Sequence, residues 1–414
     1  MEISLSYPGS EFNVPAKNLI DIIEPKITKE NGDKIISHAL RNPIGSARLD
    51  RMVDTRGRVL IIVDDNTRNT PADRILKILL KDLLPYVGRD SIQFLVAGGT
   101  HRPMSREEKI KKLGQDIVEN YIIHDHDAYN GKNLVTVGET SLGVPIQVNR
   151  LLMEFDIKIG LGHIVPHRNV GFSGGAKIIQ PGVCGAETTG ILHWESIMVP
   201  NKEMLGNPEN KFRWQTEEIA RCAGLNFIVN VVMDVQGNIA ACVAGNPVET
   251  HRVGCCYSRE INGFKVKEIP DVVICDSYPA DLDFWQACKA LFCVDLVIKP
   301  GGTCILRTPC PEGISGVHNG INEYGYMPLE EVKKLVQAGE IKDLATAANI
   351  AAVGEILDNM DCRIVSEGIS REAALKVGLG WSPSIQDALD AVLEKNADAR
   401  ILVIKHTPEL LPLI

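Results

Sequence analysis

Eight short runs rich in Val, Ile and Leu recur along this chain with helix-like stretches between them, and strand and helix in alternation imply α/β layers around mostly parallel sheets. Four runs fall in the first part: RVLIIVDD at 58–65, SIQFLVAG at 91–98, FDIKIGLG at 155–162 and FIVNVVMD at 227–234. Between them, PADRILKILLKDLL carries apolar residues at helical spacing behind Pro71 and Asp73, and KFRWQTEEIARCAG ends on Gly224, a suitable C-terminal cap. AETTGILHWES reads as an amphipathic helix. After the polar stretch INGFKVKEIP a second set begins, with DVVICDS at 271–277, GGTCILRT at 301–308, CRIVSEGI at 362–369 and RILVIKH at 400–406.

The break near Ile269 predicts two α/β domains, 1–268 and 269–405, with the tail at about 406–414 returning to pack on the first. The two sets share no repeat period, so a solenoid is not supported. Two such domains facing one another would place a ligand cleft where strand-end loops converge. A chain of 414 residues with 44% hydrophobic content is long enough for both cores.

The net charge of -9 opposes binding to phosphate backbones, and no Lys/Arg block favours nucleic acid. Every apolar run is well short of the roughly 20 residues a membrane helix needs, and no charged and then apolar leader opens the chain. The expectation is a soluble, cytoplasmic protein. Its 11 cysteines lie between Cys184 and Cys362 without a CxxC pair, most of them in apolar runs. They read as reduced thiols packed like small hydrophobes. The adjacent pair Cys255 and Cys256 suggests no chemistry.

Four polar signatures each follow a predicted strand, where open α/β sheets present their ligand loops. In DDNTRNTP, Asp64 to Pro71, the carboxylates, amide, hydroxyls and Arg68 stand before a helix N-terminus, an arrangement that suits an anion and equally a capped turn. In AGGTHRPMS, Gly98 and Gly99 turn the chain and present His101 beside Arg102. A lone surface histidine needs no function, so His101 by itself carries little.

The third signature, GHIVPHRNVGFSGGAK, is the richest, with His163, His167, Gly171, Gly174, Gly175 and Lys177 within 163–177. Gly174 and Gly175 allow backbone N–H groups close to a phosphate, and Lys177 adds a nucleophilic or charge-pairing amine. The spacing is not that of a Walker loop. His163 and His167 are four apart, as in zinc protease helices, but Gly162, Pro166 and the missing Glu predict an irregular loop. His193 follows in AETTGILHWES, where a satisfied core histidine is the default. The fourth signature, DFWQACK at 283–289, opens a helix, and Gln286 and Lys289 share one face, either as a solvated surface or as partners for a substrate carboxylate and hydroxyl.

In their order and intervals these motifs resemble the nickel-dependent lactate racemase family over nearly the whole chain, most clearly at GFSGGAK. The resemblance implies a covalently held nickel-pincer nucleotide, of the Ni(II) pyridinium-3,5-bisthiocarboxylic acid mononucleotide type. By that likeness Lys177 is the attachment point and His193 the histidine that completes the metal's coordination. Asp65, Asn66, Thr67 and Arg68 match the loop that contacts the cofactor, with Gly174 and Gly175 beside it. His101 and His167 match the paired acid/base histidines, and Gln286 and Lys289, with Arg68, the substrate-holding groups. The resemblance weakens after about residue 300, so the aromatic that closes the substrate pocket is not placed; Trp285 and Trp381 are candidates.

The implied activity is racemisation or epimerisation of a small 2-hydroxy acid by proton-coupled hydride transfer. Removing a hydroxyl proton and moving a hydride to a cofactor gives a planar keto acid, and two imidazoles suit this because each serves one enantiomer as base and the other as acid. Cofactor-synthesis proteins are the expected transient partners, and a homo-oligomer is compatible with the sequence. Two other readings stand beside this one: a zinc hydrolase or lyase using His163, His167 and His193, and a non-catalytic phosphate- or nucleotide-binding module.

Overall fold

The computed structural model describes residues 1–29, 31–53 and 57–413. The chain forms two compact units: a first of Lys26–Leu192 with Gly206–Ile261, and a second of Met1–Pro25, His193–Leu205 and Asn262–Ile414. In chain order the strands of the two large sheets are β1 (Leu19–Ile23), β2 (Val59–Asp64), β3 (Ile92–Ala97), β4 (Ile122–Asp125), β5 (Ile157–His163), β6 (Phe227–Met233), β7 (Ile239–Gly245), β8 (Val272–Asp276), β9 (Thr303–Arg307), β10 (Asp361–Val365), β11 (Gly380–Trp381) and β12 (Ile401–Ile404).

The first unit holds a six-stranded sheet in the order β7-β6-β5-β2-β3-β4, parallel except for β7. Its central strand β2 is buried on both faces because Val59, Ile61 and Val63 point into one core while Leu60 and Ile62 point into the other. This is why the run reads as continuous rather than alternating hydrophobicity. Helix Ala72–Leu83 covers one face with Ile75, Leu76, Leu79, Leu80 and Leu83.

The second unit's sheet, β11-β10-β9-β8-β12-β1, is parallel throughout. Cys275, Cys304 and Cys362 sit on one of its faces, buried in the core that includes helix Leu344–Asn359. Cys255, the inner member of the adjacent pair, is likewise buried against His251, while Cys256 is exposed on the same helix. All 11 cysteines are free thiols.

All eight expected runs form strands, as the α/β reading requires. Within the two large sheets, the four strands that sequence reading did not anticipate, β1, β4, β7 and β11, are the edge strands. The units also divide the chain differently from a single break near Ile269. Strand β1 pairs in parallel with β12 and so belongs with the second unit, and Ile197 joins that unit's core. The tail strand Leu411–Pro412 pairs with Gly263–Phe264, and both strands belong to the second unit. Helix Ala186–Ser196 is not amphipathic: Thr188, Thr189, Gly190, Leu192 and Ser196 are buried and only Glu187 is exposed. Among the described residues, no helix is long and apolar enough to cross a membrane.

Candidate active site

In the first sheet the chain runs outward from β2 to β3 and β4, then returns to lay β5 on the other side of β2. Between β2 and β5 the direction of winding reverses, and the carboxyl ends of such a strand pair bound a natural ligand crevice. Asp64 ends β2 with Asp65 directly after it, His163 ends β5, and the Gly98–Gly99 turn follows the neighbouring β3. The first three signatures therefore gather at the carboxyl ends of neighbouring strands of one sheet because topology brings their strands there.

Asp65 is almost fully buried. Its Oδ2 lies 2.7 Å from Nδ1 of His101, and its Oδ1 accepts from the Thr67 amide at 3.1 Å and the Thr67 hydroxyl at 2.5 Å. Burial works against a charged carboxylate, but His101, Arg68 and Thr67 outweigh it and hold the Asp65 carboxyl well below the usual range. His101 is thus neither lone nor freely rotating. Arg68 donates to the Thr67 carbonyl at 3.1 Å and hydroxyl at 2.9 Å, which folds the loop on itself. Asn66 donates to Glu108 at 2.8 Å, and Glu108 also takes both Arg102 nitrogens at 2.9 and 2.8 Å. The bond from Arg102, against the cost of burial, brings the Glu108 carboxyl down to about 2.

His163 and His167 do not share a helix. Pro166–His167 pairs with Gly171–Phe172 as a short antiparallel hairpin, and His163 belongs to β5. Burial, aided by Lys112 and Arg68, lowers the His163 imidazole to about 3, so it is neutral at ordinary pH. Among the described residues, no three His, Cys, Asp or Glu side chains are grouped to hold a metal ion. His167 is differently engaged, with Nε2 at 2.7 Å from the Lys177 amine and Nδ1 accepting from the Asn169 amide at 3.2 Å.

The turn that carries Lys177 has a rigid underside. Gly171 has φ +80°, and a Cβ there would stand 1.7 Å from the Asn207 carbonyl oxygen; only glycine fits. From below, Asn230 accepts the Gly175 amide at 2.7 Å and His251 bonds the Ser173 carbonyl at 2.9 Å. Fully buried Arg213 donates to the carbonyls of Val170, Phe172 and Gly174. The Gly99 amide donates to Gly182 at 2.9 Å, which ties the His101 loop to the segment after Lys177.

Sequence reading missed these supports, and also buried Lys112, which pairs with Asp64 at 2.7 Å and donates to the Arg68 carbonyl at 2.7 Å. The usable signal was Asn230, a single amide inside the apolar run FIVNVVM.

In the second unit Gln286 and Lys289 meet, the lysine donating to the amide oxygen across two short helices, Phe284–Ala287 and Lys289–Asp295. Asp283 caps the first by accepting from the Gln286 amide at 3.0 Å. Trp285 stacks on His318, with ring centroids 3.8 Å apart, and His318 is held by Asp343 and Thr346, each at 3.0 Å. His193 lies half-buried near the end of helix Ala186–Ser196, where the chain passes from the first unit to the second; its carbonyl accepts from Ser196 at 2.8 Å.

Residues 6–205 match the model of the lactate racemase N-terminal domain. A lactate racemase of Thermoanaerobacterium thermosaccharolyticum is 28% identical over 97% of each chain, and one of Lactiplantibacillus plantarum is 28% identical over 91% of this chain and 90% of its own. The structure of the T. thermosaccharolyticum lactate racemase apoprotein superposes with a TM-score of 0.88 at 27% identity, covering 100% of both chains. A Thermotoga maritima structure, at 22% identity and a TM-score of 0.73, covers 93% of this chain and 98% of its own, and shares the fold.

Proposed function

We propose that this chain, which is similar to lactate racemases along nearly its whole length, inverts the carbinol carbon of a small 2-hydroxy acid with a nickel-pincer nucleotide attached at Lys177. One observation carries the reading: two engaged imidazoles, His101 on Asp65 and His167 beside the Lys177 amine, stand on loops of the same unit's sheet edge. Relatives that span nearly the whole chain support a racemase.

The residues fit such a cofactor by their chemistry. Lys177 brings a primary amine on a glycine-shaped turn, Arg68 brings a cation, and a Cβ built on Gly98 would meet nothing within 4 Å, which leaves room beside the His101 loop. Lys177 would carry the nucleotide, the Asp65, Asn66, Thr67 and Arg68 loop and the Gly174–Gly175 turn would hold it, and His193 would complete nickel's coordination with an imidazole nitrogen. When bound, the group supplies a hydride acceptor, so the substrate passes through a planar 2-keto acid. His101 and His167 take and return the hydroxyl proton on the two sides. Arg68, Gln286 and Lys289 offer donors for the substrate carboxylate. Cofactor-synthesis proteins are the transient partners in this reading, and a reducing cytoplasm suits its free thiols.

The test is co-expression with the cofactor-synthesis proteins, followed by intact mass, nickel content and chiral analysis of a panel of 2-hydroxy acids. The expected result is an adduct on wild type, none on folded Lys177→Ala, and loss of enantiomeric purity with wild type alone. An adduct without turnover of any substrate would make the protein a binding module. Zinc without an adduct would overturn the proposal.

A further inference from the structure

We infer that Tyr7 is a positioning residue, which clamps the loop carrying Gln286 and Lys289 from the N-terminal segment of the chain. Its effect on substrate rests on reading those two side chains as donors to the carboxylate; the clamp itself stands on geometry within the second unit.

The second sheet winds as the first does. From β8 the chain runs outward to β9, β10 and β11 and then returns to lay β12 on the other side of β8. The carboxyl ends of β8 and β12 therefore bound a crevice of the kind that takes ligands in such sheets. Here the chain supplies the occupant itself. Asp276, fully buried at the end of β8, accepts on Oδ1 from the His406 amide, just after β12, at 2.8 Å. Its Oδ2 accepts from both the amide and the hydroxyl of Ser6, at 3.2 and 2.7 Å. Strands Glu2–Ser4 and Glu11–Asn13 pair on either side of this segment, and Ile3, Leu5, Phe12 and Val14 share one buried core with Ile274, Ile305 and Val403 of the sheet.

Tyr7 turns this plug into a clamp. Its hydroxyl donates to Asp281 Oδ2 at 2.7 Å and lies 3.2 Å from Ser277 Oγ, so one phenol meets twice the stretch that leads from β8 to helix Phe284–Ala287. The ring is buried, with the Arg307 guanidinium at the end of β9 5.3 Å from its centroid, which fixes where the hydroxyl points. Beyond Asp281 the loop is stitched to residues 310–314. The Cys310 and Glu312 amides donate to the Asp281 and Leu282 carbonyls at 3.1 and 2.9 Å, and the Phe284 and Trp285 amides to the Gly313 and Ile314 carbonyls at 3.0 and 3.1 Å. Gln286 comes next, and Lys289 donates to its amide oxygen. The bond from Tyr7 thus secures the start of a ladder that ends at the two substrate-holding side chains.

Tyr7→Phe keeps the ring and removes only the hydroxyl. In the full-length chain without cofactor, amide exchange should quicken about tenfold in peptides covering 281–287 and 310–314, the scale of losing one hydrogen bond to a charged group. Peptides covering 163–177 of the first unit should exchange as in wild type. Asp281→Ala removes the same bond from its other side and should quicken the same peptides, and the double variant should add nothing further. In loaded enzyme each single variant should keep the wild-type adduct mass and raise KM about tenfold, with kcat little changed, for the 2-hydroxy acid that wild type turns over. Unchanged exchange over 281–287 and 310–314, additive effects in the double variant, or faster exchange with an unmoved KM would each overturn the inference. If Tyr7→Phe does not fold, Asp281→Ala decides. Wild type that carries the adduct but turns over no 2-hydroxy acid would sink the proposed function and leave the exchange result to decide the clamp.

Discussion

Replacing Arg213 with Met tests whether a buried guanidinium shapes the turn that carries Lys177. The side chain is fully buried and donates to three carbonyls of the 170–174 segment. Met keeps most of the volume but orphans those acceptors, at about 1–3 kcal/mol each, or about 6 kcal/mol for the three at mid-range. Against this stands the cost of burying the charge. Desolvation brings the guanidinium down from its usual value to about 10, and at about 1.4 kcal/mol per tenfold change in proton affinity this is on the order of 3 kcal/mol. The lost bonds win, and the expected net loss is about 3 kcal/mol. For a unit of this size that is roughly 6–12 °C in melting temperature. Thermal and urea unfolding followed by circular dichroism would measure it, with amide exchange over 170–177 as the local readout. A loss under about 1 kcal/mol, or unchanged exchange in that segment, would refute the bracing argument.

Two further outcomes follow from buried groups. The His163 imidazole is lowered to about 3 and the unfolded ring titrates near 6.5, so between these values the unfolded chain binds a proton that the native one refuses. Stability should therefore fall on acidification through that window, by up to about 1.4 kcal/mol per pH unit. His163→Leu should flatten this limb in urea titrations across pH, and parallel curves for variant and wild type would contradict the assignment. Gly171→Ala should cost more than about 3 kcal/mol, since its Cβ would stand 1.7 Å from a carbonyl oxygen at φ +80°; urea midpoints near wild type would show that the turn can relax.

What could be read from sequence was what repeats or what is chemically rare. The central strands were legible because burial on both faces leaves unbroken runs such as VLIIV, and the site loops because His, Gly and Lys crowd into GHIVPHRNVGFSGGAK. Pairings distant in sequence were not legible. Nothing near Asp65 announces that its carboxylate serves His101, 36 positions away, and nothing near Arg213 points to carbonyls some 40 positions earlier. The unit to which residues 1–25 belong depends on β1 pairing with β12 from the far end of the chain. The three-residue spacing put Gln286 and Lys289 on one face of a single helix; two short helices stand there instead, and the lysine donates to the Gln286 amide oxygen.

The most direct test of the proposed chemistry uses loaded His101→Ala and His167→Ala, each given one pure enantiomer at a time, with the keto acid trapped in a quench. Neither variant should complete inversion, because the cycle uses one imidazole as base and the other as acid. Each should form keto acid only from the enantiomer whose hydroxyl faces the histidine that remains, so the preferred enantiomer should switch between the two variants. Both variants preferring the same enantiomer, or either retaining full racemisation, would contradict the pairing of His101 with His167.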